Sequence, residues 1–173
     1  MKLYVACLAA YNAGRLHGAW IDASDDTAEM QDAINTMLRG SPCPDAEEWA
    51  IHDYDGFPNM GEYPGLAAVA AMAGLIEMAK DDHRIDYDDF QPIAANWHGV
   101  VSDIEHALEA FAGTYDTLRT YADELADEAL DADGVKEGSF AQRHFDYESH
   151  ASDIEIEYTI IDCPSGVAVF WPH

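Results

Sequence analysis

The sequence predicts an α+β protein, laid out as an elongated chain of small domains. Three observations lead there. Apolar residues alternate near both ends, at Leu3, Val5 and Cys7 and again at Ile154, Ile156, Tyr158 and Ile160, as half-buried strands require. Between these ends apolar residues recur at helical spacing, as at Leu118, Tyr121, Ala122, Leu125 and Ala129. Hydrophobic residues make up 49% of the 173, enough for a core, with no internal repeat and no low-complexity linker.

In chain order, residues 3–22 read as a β-hairpin. Leu3 to Cys7 is the first strand, Tyr11-Asn12-Ala13-Gly14 the turn, and Leu16 to Ile21 the return strand. Asp25 or Asp26 can cap a helix that runs to about Leu38, with Met30, Ala33, Ile34, Met37 and Leu38 on its apolar face and Gly40 as its stop. After the loop Ser41 to Pro44, Glu48 to Asp53 reads as a third strand. The first 61 residues thus form a β-β-α-β unit. Residues 62–102 read as a central helical domain. It holds an Ala-rich helix at 65–79, apolar nearly all round and so expected to be buried. An acidic turn from Asp81 to Asp89 and a helix capped by Asp86, with Phe90, Ile93, Ala94 and Trp97, follow. Residues 103–173 read as a C-terminal α+β domain. A helix over 101–112 leads in, and an acidic helix spans 115–131. After a loop from Asp131 to Ser139 comes a short helix from Phe145 to Ala151. A strand from Ile154 to Ile160, a turn at Asp162 to Gly166 and a strand from Val167 to Trp171 close the chain.

Charge is the dominant feature. The chain has 34 acids and 8 Lys and Arg, a formal net charge of −26. Residues 45 to 133 carry 22 of the acids and only 3 bases, so the charge is concentrated rather than spread evenly. That opposes a general high-salt adaptation and excludes unassisted binding to nucleic acid or anionic membrane, which needs a basic footprint. The acidic helix is the extreme case. Asp116, Asp123, Glu124, Asp127, Glu128, Asp131 and Asp133 share it with one cation, Arg119. Like charges four residues apart repel by about 0.2–0.5 kcal/mol per pair, a cost that interspersed Lys would relieve. Nineteen helical residues rise about 28 Å. One DNA strand carries roughly 8 phosphates over that length. Seven carboxylates come close to that density, although a solvated helix face reaches it too.

Other chemistries find little support. Cys7, Cys43 and Cys163 are isolated, as in a reduced cytoplasmic protein, and no Cys/His zinc spacing exists. The start MKLYVACLAA fits a strand better than a signal peptide, and the apolar run Leu66 to Ile76 is too short to span a bilayer. The two EF-hand registers place Ala129 and Ile51 at the first ligand position, where a carboxylate is needed. Histidines 17, 52, 83, 98, 106, 144, 150 and 173 are scattered, without HExxH; GxSxG, P-loop and GxGxxG motifs are absent. No cofactor, metal site or catalytic residue is expected. Carboxylate pairs are too numerous to single out a hydrolase, and the interleaved aromatics Trp49, Tyr54, Tyr63 and Tyr87 serve as readily as core as they do as interface anchors.

Three segments together resemble the ArdA family of antirestriction proteins. Tyr4-Val5, Tyr11-Asn12-Ala13-Gly14 and Gly18-Ala19-Trp20-Ile21-Asp22 are similar to its opening hairpin. Glu48-Trp49-Ala50-Ile51-His52-Asp53-Tyr54-Asp55-Gly56-Phe57-Pro58 is similar to its acidic-aromatic DYEGFP-type segment. Phe145-Asp146-Tyr147-Glu148, with Ala151 and Asp153-Ile154, is similar to its FDYExxARDL-type segment. The chain departs from the family pattern over Leu130 to His144, where the usual Pro-Glu is absent, at Ser152 where Arg is common, and at His150 where an aromatic is common.

The resemblance implies a non-catalytic, cytoplasmic DNA mimic carried on mobile genetic elements. It implies a homodimer joined through the C-terminal domain, which occupies the DNA groove of the methyltransferase core of type I restriction-modification enzymes. The residues expected to imitate phosphates are Asp53, Asp55 and Glu62, then Asp81, Asp82, Asp86, Asp88, Asp89, Asp103, Glu105 and Glu109, and finally the seven acids of the 115–133 stretch. Two alternatives stand beside this: sequestration of another DNA-binding, histone-like protein, and a carboxylate-dependent hydrolase.

Overall fold

A computed structural model describes residues 1–44 and 46–172. Asp45, the first residue of the acid-rich stretch, and His173, one of the scattered histidines, lie outside the described residues. The chain is α+β, with helices and two small antiparallel sheets, and divides into two compact units, residues 1–105 and 106–173.

The first unit is built on a three-stranded sheet in the order β2-β1-β3, from β1 (Lys2–Cys7), β2 (Gly18–Asp22) and β3 (Trp49–Asp55). The predicted antiparallel pair is present, with Leu3 opposite Ile21. Its connection is not the expected tight turn. A short helix, α1 (Leu8–Asn12), buries Ala10, and Gly14, at φ +71°, turns the chain back. Leu16, expected in the return strand, is 92% exposed in this loop. Helix α2 (Thr27–Arg39) packs on β1 and β2 through Met30, Ile34 and Met37. Its cap is Asp26, whose carboxylate accepts from the N–H groups of Ala28 and Glu29 at 2.8 and 3.2 Å.

Helix α3 (Leu66–His83) buries Val69, Ala70, Met72, Ala73, Leu75, Ile76 and Ala79, in keeping with its nearly all-round apolar sequence. It runs one turn past the expected end, so Asp81 and Asp82 are helical rather than part of a turn. Both point to solvent, where the extra turn desolvates neither carboxylate. The helix stops where Arg84 takes a left-handed φ of 56° and the Ile85 N–H returns to the Ala79 carbonyl at 3.0 Å. Helix α4 (Tyr87–Asn96) begins after Asp86, as predicted, although that side chain makes no cap hydrogen bond; Trp97 lies just past its end. Helix α5 (Val101–Glu109) contains the division between the units.

The second unit holds β4 (Phe111–Tyr115), β5 (Thr159–Cys163) and β6 (Gly166–Phe170), in the order β4-β6-β5. A hairpin closes the chain, but its first strand is Thr159–Cys163 rather than the expected Ile154 to Ile160, while β6 matches the expected last strand; β4 was not expected. Helical spacing places Phe111 at the end of one helix and Tyr115 at the start of the next. Gly113, at φ +146°, breaks any helix there, and the segment pairs with β6, Thr114 lying opposite Ala168. The acidic helix, α6 (Leu118–Ala132), is therefore shorter at its start than expected. It is capped by Thr117, whose hydroxyl accepts from the Thr120 N–H at 3.1 Å. A single turn, α7 (Phe140–Arg143), precedes α8 (Tyr147–Glu157).

Helix α8 overturns the strand expected over Ile154 to Ile160. Asp146 caps it by accepting from the Ser149 N–H at 3.0 Å, and the helix continues to Glu157. Alternation puts Ile154 and Ile156 on one buried face. In fact Ile154 is buried and Ile156 is 82% exposed. Tyr121 and Ala122 of α6, Ile154 of α8 and Val169 of β6 form the small core of this unit, with Leu118, Leu125 and Ala151 against it.

Candidate functional site

Most of the acids expected to face a partner are presented on helices and loop edges with their carboxylates in water. In the first unit Asp53 and Asp55 are exposed on β3, where a register shift between Tyr4 and Val5 accommodates an extra residue. The loop carrying Glu62 is tied along this strand: the Ile51 N–H donates to the Glu62 carbonyl at 3.1 Å and the Tyr54 hydroxyl donates to the Gly61 carbonyl at 2.6 Å. Those three acids are thus brought onto one stretch of framework. Asp81, Asp82, Asp86, Asp88, Asp103 and Glu105 are exposed as well. Asp86 and Asp88 stand at the start of α4, where the helix dipole favours negative charge. Asp89 is different. It is buried, 6% exposed, in the first turn of α4, so its carboxylate does not face solvent as the phosphate-mimic assignment requires.

In the second unit Glu109, Asp116, Glu124, Asp127, Glu128, Asp131 and Asp133 are exposed and Asp123 is half-buried. Glu109 lies 3.3 Å from His106. Tyr121, Ala122 and Ala126 turn inward on α6, leaving the acids on the outer side. Two of those acids are engaged inside the molecule. Asp123 accepts from Arg119 at 2.6 Å, and Arg119 also reaches Glu148 of α8 at 2.6 Å. Asp127 accepts from the Tyr147 hydroxyl and from the Gln142 amide at 3.0 Å. The Tyr147 bond first, then that of Gln142, holds the Asp127 carboxyl below the usual carboxylate range, so it stays ionised. The Glu148 and Asp123 bonds likewise reinforce the charge of Arg119.

Residues outside the expected set join this surface. Glu148, Asp153, Glu155 and Glu157 are exposed on α8, which packs beside α6 and makes a second acidic helix next to the first. The strand reading of 154–160 conceals this helix. A helical reading from the Asp146 cap would have found it. Among the described residues, no group of three or more His, Cys, Asp or Glu side chains converges as metal ligands, and no helix is long and apolar enough to cross a membrane.

Fold and charge together define a strongly acidic α+β protein with two small sheets, most of whose carboxylates are exposed on helices and loops. The family model of the antirestriction protein ArdA matches residues 3–169, and the chain belongs to that family. No curated protein matches it. It is therefore an antirestriction protein, of a family that acts without catalysis.

Proposed function

We propose that this protein inhibits type I restriction-modification enzymes as a DNA mimic, occupying the DNA groove of their methyltransferase core. One observation carries the reading. Glu124, Glu128 and Asp131 stand exposed along α6 with no cation paired to them among the described residues, while Arg119 neutralises only the first turn. The 15 residues of α6 rise about 22 Å, over which one DNA strand carries about six or seven phosphates. The helix holds five acids over that length and Asp116 and Asp133 flank it. Lysines and arginines that grip phosphates would meet a comparable row of oxygens. The protein acts as a homodimer through its C-terminal region, in the cytoplasm, and binds no nucleic acid.

The test is binding of the pure protein to a type I methyltransferase core, with and without cognate DNA, at about 50 and 200 mM salt. The expected result is tight binding that DNA displaces and that weakens at least about tenfold between the two salts. Absence of binding at the lower salt would overturn the reading.

A further inference from the structure

Cys7 and Cys43 lie far apart in the sequence, yet both meet one hydroxyl in the first unit. Cys7 ends β1 and is fully buried. Its N–H donates to the His17 carbonyl at 2.9 Å, and it stands opposite Trp49 of β3. Its Sγ lies 3.4 Å from the Ser41 Oγ. That same oxygen accepts from the Cys43 N–H at 3.2 Å, a serine turn with Pro42 at its centre. Ser41 is itself held by the end of α2, its N–H donating to the Leu38 carbonyl at 3.0 Å. The loop after α2 is thereby folded over the buried sulfur. Both thiols are free. Cys43 is partly exposed, in a cleft of about 660 Å³ that Arg39 and Glu47 also line. Arg15 reaches the same loop and donates to the Pro42 carbonyl at 3.4 Å. Two of the chain's eight Lys and Arg thus stand beside this loop and offset, locally, the repulsion that so acidic a chain exerts on anionic reagents.

We infer that Cys7 and Cys43 close reversibly into a disulfide, a redox-sensitive clasp that joins the end of β1 to the loop after α2. The oxidant is a small-molecule disulfide, such as glutathione disulfide. Burial assigns the order of events: Cys43 is reached from solvent and Cys7 is not. The Cys43 thiolate attacks the oxidant. A bond forms between its sulfur and one glutathione sulfur, the glutathione S–S bond breaks, and the first glutathione leaves with the proton that Cys43 lost. Cys7 then attacks the Cys43 sulfur, and the second glutathione leaves with the Cys7 proton. Two protein thiols are oxidised, and one glutathione disulfide is reduced to two glutathiones. The bond closes the chain segment that holds β2 and α2, which restricts the unfolded chain and stabilises the first unit. Under reducing conditions such a bond opens again, as a sensor requires. The inference is independent of which partner the acidic surface meets.

The test uses the full chain. Reduced protein is equilibrated in glutathione buffers from reducing to oxidising, then alkylated, digested and read by mass spectrometry. Expected is a Cys7–Cys43 cross-linked peptide pair, two hydrogens lighter than the reduced pair, with Cys163 still alkylated and full reversal by dithiothreitol. The oxidised protein should melt at least about 3 °C above the reduced one. Cys7→Ala should stop at glutathione on Cys43. Cys43→Ser should leave Cys7 unmodified in the folded protein, and serves alone if Cys7→Ala does not fold. Absence of the cross-link at every ratio, glutathione that persists on Cys43 in the parent, modification of Cys7 in Cys43→Ser, or a cross-link that does not raise the melting temperature would overturn the inference.

Discussion

Tyr147 on α8 donates its hydroxyl to Asp127 on α6, 20 residues earlier, at 2.5 Å. A carboxylate on the acidic helix is thereby oriented by the neighbouring helix. The bond holds the Asp127 carboxyl below its ordinary 3.8 and pushes the Tyr147 phenol up. Because the folded value is depressed, the bond's contribution to stability is present above the unfolded value and disappears as pH falls through the folded one. Tyr147→Phe should therefore raise the Asp127 value toward 3.8, as a carbon-detected carboxyl titration would read. The stability deficit of the variant should be constant above about pH 5 and shrink in acid.

Arg119 bridges Asp123 and Glu148, and so ties the first turn of α6 to α8. Arg119→Gln removes the only base of α6 and leaves two carboxylates facing each other. The expected outcome is a lower melting temperature at low salt, with the difference narrowing as salt screens the repulsion. A difference that does not change with salt would mean that packing of the arginine stem, rather than its charge, matters.

Gly166 begins β6 at φ +144°, against the Tyr115–Asp116 backbone. A Cβ there would run into the Tyr115 carbonyl, which is backbone and has nowhere to yield. Gly166→Ala should cost about 3 kcal/mol or more in urea unfolding, through strain at a positive φ together with the clash. Gly138→Ala, also at positive φ but in open space, should cost about 1 kcal/mol, from backbone strain alone.

Helix α2 was legible because its signals are local. Asp26, the stripe from Met30 to Met37 and Gly40 sit within one helix and agree with one another. Elements that depend on distant partners were not. Phe111 lies at helical spacing from Ile104 and Leu108, and only pairing with β6, more than fifty residues later, makes it a strand. In and just after α8, Ile154, Ile156 and Tyr158 satisfy a strand's period. The Asp146 cap decides against that period, and only the packed structure shows that Ile154 alone is buried. The acids themselves were visible in the sequence, but not which of them face solvent. Asp89 differs from Asp88 only in where the first turn of α4 points it.

Glu124, Glu128 and Asp131 lie exposed on one helix, and the first two repel across a single turn. A surface kept only for solubility gains nothing from that arrangement, whereas a surface selected to bind cations tolerates it. Neutralising the three together, Glu124→Gln, Glu128→Gln and Asp131→Asn, should therefore move two properties in opposite directions. Thermal stability should rise, most at low salt, because repulsion along α6 falls. Binding to a type I methyltransferase core should weaken, and the slope of log affinity against log salt should shallow by up to about 0.9 for each intermolecular ion pair removed. Any one of the three substitutions alone should weaken binding only a few-fold, since the attraction is spread over many carboxylates. Calorimetric melting and a salt-dependent binding series on the parent, the single variants and the triple variant would read both effects. Higher stability with unchanged binding would make α6 a solvated face and move the partner surface to the acids of the first unit.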